Sequence, residues 1–197
     1  MRLQGKRIGF ALTGSLCTVE VVLKEMERIV EEGALVWPIL SNVVSSVDSK
    51  YGKASEWVEK VRRITGQEPL TTLVSVEPIG PQNLFDVIVV APCTGNTLAK
   101  IANAITDGPV TMAVKAHLRN QRPVVIAVST NDGLGLNAKN LGILLAAKNV
   151  YFVPFGQDNP YAKPNSLNAK YELMVDTIVE ALNGRQIQPL LIGAHKE

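Results

Sequence analysis

Val87-Ile88-Val89-Val90-Ala91, followed at once by Pro92-Cys93-Thr94-Gly95-Asn96-Thr97-Leu98-Ala99-Lys100-Ile101-Ala102, decides the class of fold. An apolar run without polar alternation marks a strand buried on both faces, as in a parallel sheet covered by helices. The helix expected from about Asn96 supplies such a cover. Upstream, residues 7–12 and 35–40 are two more short apolar runs, and between them Val19, Val22, Leu23, Met26, Ile29 and Val30 recur at helix spacing up to Gly33, which serves as a C-cap. Downstream, residues 124–128 precede a helix from about Lys139, and residues 150–153 close the set. Strands alternating with helices predict an α/β protein with a Rossmann-like, doubly wound parallel sheet in three layers, α/β/α.

Two stretches interrupt the alternation. Residues 41–80 hold a polar, irregular part up to Lys53, read as a flap, then an amphipathic helix through Trp57, Val58, Val61 and Ile64 that stops at Gly66. Residues 154–168 are rich in Pro and Asn and read as irregular, before a last helix over 167–183 with Gly184 as its stop. The apolar tail Leu190-Leu191-Ile192 is expected to pack on the body or on a neighbouring subunit. At 197 residues and 46% hydrophobic, the whole of residues 1–197 is expected to form a single domain.

Composition excludes several functions. Twenty Lys plus Arg against eighteen Asp plus Glu leave a formal charge of +2, too little to neutralise a run of nucleic-acid phosphates. Aromatic residues make up 5%, which removes the stacking platforms of single-strand binders. Two cysteines, Cys17 and Cys93, and two histidines, His117 and His195, supply neither a disulfide scaffold nor a structural zinc set, so no metal is expected. No apolar run approaches the roughly 20 residues of a membrane span, and the start Met-Arg-Leu-Gln-Gly-Lys-Arg-Ile has no apolar signal region, which reads as cytoplasmic.

In an open parallel sheet, ligands bind beyond the carboxyl ends of the strands, so the loops after each strand are where chemistry is sought. After the first strand comes Thr13-Gly14-Ser15-Leu16-Cys17-Thr18. Gly14 permits close backbone approach, Ser15 and Thr18 carry hydroxyls, and a helix start presents N–H groups to a phosphate. The same residues also read as a plain strand-to-helix turn. Neither the G-x-G-x-x-G nor the G-x-x-x-x-G-K-[ST] fingerprint is present, and Leu40-Ser41-Asn42 has no acidic residue to hold an adenosine ribose. A mononucleotide therefore fits better than a dinucleotide. After the third strand, Thr94, Asn96 and Thr97 are more polar groups than one helix cap needs, and Lys100 is read on the first helical turn, against the dipole. Cys17 and Cys93 approach one another near the crevice if the first strand and the strand that leads into Cys93 are neighbours, although a buried cysteine commonly acts as a small hydrophobe.

The run from Ala91 to Ala102, with Asp107 beyond it, resembles the A-P-x-[ST]-x-N-T-x-x-K-I-A…D signature of the FMN-binding cysteine decarboxylase family of flavoproteins, which includes phosphopantothenoylcysteine decarboxylase and more distant prenyltransferases. Thr13-Gly14-Ser15 resembles the flavin-phosphate loop of that family, and Ser41 falls where its second strand supplies a hydroxyl. Lys6-Arg7-Ile8-Gly9-Phe10, Gly52-Lys53 with Glu56-Trp57-Val58, Ser129-Thr130-Asn131-Asp132 and the run from Tyr151 to Pro160 look most like the branch of that family formed by dipicolinate synthase B subunits.

The resemblance implies FMN, with its phosphate at Gly14, Ser15 and Ser41 beside Thr13. Further contacts would come from Pro92, Thr94, Asn96 and Thr97, with Ser129 and Asn131 near the flavin ring. It further implies a partner A subunit carrying NAD(P), a small dicarboxylate substrate whose carboxylates Lys50, Lys53 and Asn131 are candidates to meet, and a homo-oligomer, trimeric or a multiple of it. The implied reaction oxidises a dihydro- or hydroxytetrahydrodipicolinate to dipicolinate, in the mother cell of a sporulating bacterium. The family's active-site histidine has no counterpart in residues 41–53, and its P-x-M-N motif is represented only by the asparagine of Ser129-Thr130-Asn131-Asp132. An FMN-dependent decarboxylase of cysteinyl substrates and a non-catalytic flavin-fold partner subunit remain the alternatives.

Overall fold

The computed structural model of the protein describes residues 1–193; His195 lies outside them. Its strands are β1 (Arg7–Leu12), β2 (Leu35–Leu40), β3 (Val87–Cys93), β4 (Val124–Thr130), β5 (Val150–Phe152), β6 (Phe155–Gly156) and β7 (Leu167–Ala169). The helices are α1 (Val19–Glu31), α2 (Asn42–Ser46), α3 (Ala54–Thr65), α4 (Leu73–Val76), α5 (Ile79–Gln82), α6 (Gly95–Ala102), α7 (Pro109–Arg119), α8 (Ala138–Leu145) and α9 (Met174–Leu182).

β2, β1, β3, β4 and β5 pair in that order and all in parallel. This is the flavodoxin-like order, in which β1 neighbours β3, so the strand before Cys17 and the strand that ends at Cys93 are neighbours, as expected. From Val87 to Ala91 successive side chains of β3 point to opposite faces, both buried, and a register shift between Val90 and Cys93 then breaks the alternation. Val87, Val89 and Ala91 join one apolar cluster with α1, α3 and α9, while Ile88, Val90 and Cys93 join a second with α5, α6, α7 and α8. The three layers of the sequence reading are therefore present, and the unbroken Val/Ile runs are explained by burial on both sides of the sheet.

The interrupting segments are more ordered than their composition indicated. Part of 41–53 forms α2, held by Val44, which is fully buried, and residues 49–52 make a tight turn. Within 154–168 and just beyond, β6 and β7 pair antiparallel, and β7 also pairs antiparallel with the end of β4. The expected helix over 167–183 accordingly begins only at Met174, because Leu167–Ala169 is drawn into the sheet. The tail returns to the body: the Phe155 N–H donates to Leu190 O, and the Ile192 N–H donates to Phe155 O. Lys100 occupies the last turn of α6, with the dipole and not against it, and its ammonium pairs with Asp107 at 2.7 Å. No helix among the described residues is long and apolar enough to cross a membrane.

Candidate active site: a cleft at the carboxyl edge of the sheet

A cleft of about 460 Å³ opens where β1, β3 and β4 end, within the roughly 300–1,000 Å³ range of small-ligand sites. Three loops build its walls: Gly14 to Thr18 after β1, Thr94-Gly95 after β3, and Ser129 to Asn131 at the end of β4. Two later segments complete it: the turn at Ser49 to Tyr51, and the stretch that carries Asp158, Lys163 and Ser166 to Asn168.

Each wall has a local cause. Gly14 packs so closely beneath α2 that a Cβ there would lie 3.0 Å from a methyl of Val43. The amides of Gly14, Ser15 and Leu16 donate to no other group among the described residues. The Ser15 and Ser129 hydroxyls lie 2.9 Å apart and tie the β1 loop to β4. Thr94 caps α6, its Oγ1 accepting from the Thr97 N–H at 3.2 Å. Gly95 admits Thr130, whose Oγ1 would lie 2.6 Å from a Cβ at that position. Ser166 Oγ lies 3.3 Å from Asn131 Oδ1, so the late segment is fastened to the end of β4.

Among the residues expected from the sequence, Gly14, Ser15, Thr94, Ser129, Asn131 and Lys50 line this cleft. The others are elsewhere. Thr13 is buried and its hydroxyl is spent within the protein, donating to Pro92 O at 2.6 Å and accepting from the Thr94 N–H at 3.0 Å. Pro92 is buried in β3, and Thr97 is buried behind the Thr94 cap. Asn96 and Lys53 are exposed and do not line the cleft. Ser41, just after β2, is not among the residues lining the cleft: its N–H donates to Leu12 O, while its hydroxyl is buried with no hydrogen-bond partner. Undonated amides at the carboxyl end of β1 are suited to an anion such as a phosphate.

The reading of the sequence missed Lys163, Asp158, Asn168 and Tyr171. Lys163 and Asp158 belong to a stretch whose composition signals only a turn. Tyr171 is buried and donates to Asn168 Oδ1 at 3.1 Å; burial raises its phenol pKa, against the pull of hydrogen bonds to Ser129 and Thr18. Cys17 is exposed at the cleft and Cys93 is buried, where loss of solvent pushes its thiol well above the usual range. His117 is buried on α7 among Arg122, Asp86 and Pro123, residues that flank the amino ends of β3 and β4, so it faces away from the cleft.

The profile of the Flavoprotein family matches residues 1–183. The B subunit of dipicolinate synthase of Bacillus subtilis is 51% identical over 190 residues, covering 96% of this chain and 95% of that protein. The coenzyme A biosynthesis bifunctional protein CoaBC of Thermococcus kodakarensis is 33% identical over 131 residues, 64% of this chain and 30% of that protein. Among solved structures, the B subunit of dipicolinate synthase from Bacillus halodurans superposes with a TM-score of 0.91 at 51% identity, covering 99% of this chain and all of that one. The FMN-binding protein AtHal3, at 19% identity and a TM-score of 0.64 over 89% of this chain and 95% of that one, shares the fold. Matched along nearly its whole length in sequence and in structure, the chain belongs to the Flavoprotein family and is a homologue of the dipicolinate synthase B subunit.

Proposed function

We propose that this chain is the FMN-binding subunit of a two-subunit synthase that oxidises a dihydro- or hydroxytetrahydrodipicolinate to dipicolinate. The observation that carries this reading is the cleft itself, a mononucleotide-sized space at the strand carboxyl ends, with undonated amides at Gly14 to Leu16; the unpartnered Ser41 hydroxyl follows the neighbouring strand β2. Full-length similarity to dipicolinate synthase B subunits supports the reaction.

In this reading Gly14, Ser15 and Ser41 hold the phosphate. Ser129, Thr94 and Asn131 surround the ring, and Ser166 keeps Asn131 in place. A bound FMN would accept the hydride that a dihydrodipicolinate gives up, with a proton, on aromatisation; a hydroxytetrahydrodipicolinate must lose water as well. The Ser15–Ser129 pair fixes the separation of two of the loops. The A subunit, carrying NAD(P), is the proposed partner, and this chain acts as a homo-oligomer beside it. Autonomous decarboxylation of cysteinyl substrates has no support from the site, since no histidine among the described residues lines the cleft.

Reconstitution with the A subunit tests the role of the cofactor. Dipicolinate formation is expected to need this chain and to fall at least tenfold when flavin is stripped, recovering on addition of FMN. Activity independent of flavin would leave the chain as a non-catalytic partner.

A further inference from the structure

Two turns bring positive charge to the cleft. The first is Ser49 to Gly52, closed by reciprocal bonds from the Ser49 N–H to Gly52 O at 3.0 Å and from the Gly52 N–H to Ser49 O at 3.2 Å. Its base is seated on buried Trp57: Gly52 has φ +151°, and a Cβ there would lie 2.7 Å from the indole. The tip therefore presents Lys50 and Tyr51 from a fixed support, with the Lys50 ammonium 5.1 Å from the centre of the Tyr51 ring. Lys50 has no carboxylate partner among the described residues.

The second turn carries Lys163. Its N–H donates to Asn159 O at 2.8 Å and its carbonyl accepts from the Ser166 N–H at 3.0 Å. Asp158, the one acidic residue lining the cleft among those described, is 4.0 Å from the Lys163 ammonium, too far for a direct hydrogen bond. Two ammonium groups against one loosely placed carboxylate leave the cleft with an uncompensated positive charge. Tyr51 is the cleft's aromatic face.

We propose that Lys50, Tyr51 and Lys163 form the subsite for a flat ring bearing two carboxylates, with Tyr51 covering the ring and each ammonium taking one carboxylate. The proposal rests on the dipicolinate reading above and adds to it the residues that recognise the substrate. Lysine suits the task as a point charge on a long stem that reaches a carboxylate without a fixed fork geometry. Ring stacking adds a smaller, charge-independent contribution.

The test is titration of the full chain, in metal-free buffer, with pyridine-2,6-dicarboxylate and with pyridine-2-carboxylate. The wild-type chain is expected to prefer the dicarboxylate by about tenfold, the yield of one added charge-assisted contact, and the preference should shrink as salt is added. Lys50→Gln and Lys163→Gln should each weaken dicarboxylate binding about tenfold, and the double variant should lose the preference. Lys50→Arg and Lys163→Arg should retain it. FMN affinity should stay unchanged in all of them. If the wild type binds the dicarboxylate but the Gln variants keep both affinity and preference, the subsite is overturned. A loss that appears in FMN affinity instead assigns the lysines to the phosphate and also overturns it. If the wild type does not bind the dicarboxylate, with or without the A subunit present, the dipicolinate reading fails and the subsite fails with it.

Discussion

His117 is buried at the amino edge of the sheet, and its titration follows from that place. Loss of solvent, with the Arg122 cation nearby, pushes its pKa down to about 4, against weaker opposing pulls from the Pro123 backbone and Asp86. In an unfolded chain a histidine takes up its proton near 6.5. The unfolded state therefore binds the proton first as pH falls. The stability held by neutral His117 is complete above about 6.5, is lost progressively as pH falls toward 4, and falls no further below that. Unfolding free energies from urea denaturation are expected to drop across this window by roughly 1–3 kcal/mol more in the wild type than in His117→Gln. Parallel pH curves for the two proteins would show that His117 does not carry this loss. His117 is thus a packing residue, remote from the chemistry. Thr13 makes the same point from the other side, since it stands in the phosphate-loop motif but spends its hydroxyl joining β1 to β3.

Among the elements, the junction of α6 with the end of β4 is the tightest part of the cleft. A Cβ on Gly95 would come within 2.6 Å of Thr130 Oγ1 and 2.7 Å of Asn137 Nδ2. Asn137 in turn donates to Asp132 Oδ2 at 3.1 Å and accepts from Asn140 at 2.9 Å, so it has little freedom to retreat. Gly95→Ala is expected to cost about 1–3 kcal/mol in denaturant unfolding and to weaken FMN binding through displacement of Thr130. A variant of unchanged stability and affinity would mean that this wall yields easily. The strands were legible because burial on both faces leaves an unbroken apolar run, as in Val87–Cys93. β7 was not, because Leu167-Asn168-Ala169 is a strand only through its partners, Ser129 and Thr130 on one side and Phe155 and Gly156 on the other. Read alone, Leu167 lies at a helical spacing ahead of α9. α2 was hidden likewise, its place depending on Val44 in the core and Val43 against Gly14.

Across the molecule, the parallel order β2-β1-β3-β4-β5 brings the ends of β1, β3 and β4 side by side, and that opens the cleft. The sequence motifs marked Gly14, Ser15, Thr94, Ser129 and Asn131 because they stand at strand ends, where a linear reading can find them. Lys163 and Asn168 enter the cleft only because β6 and β7 fold back on β4, a long-range pairing that leaves no local trace. The low aromatic content has its counterpart in walls made of hydroxyls, amides and backbone, with Tyr51 as their one ring among the described residues.

If this edge seats a flavin mononucleotide by its phosphate, the purified chain must tell FMN from riboflavin. Titration with each, followed by flavin fluorescence, measures that difference. Saturable binding of one FMN per chain is expected, with riboflavin at least tenfold weaker because the Gly14-Ser15 amides and Ser41 lose their anion. Equal affinity for the two flavins, or no binding of either, would contradict the phosphate site.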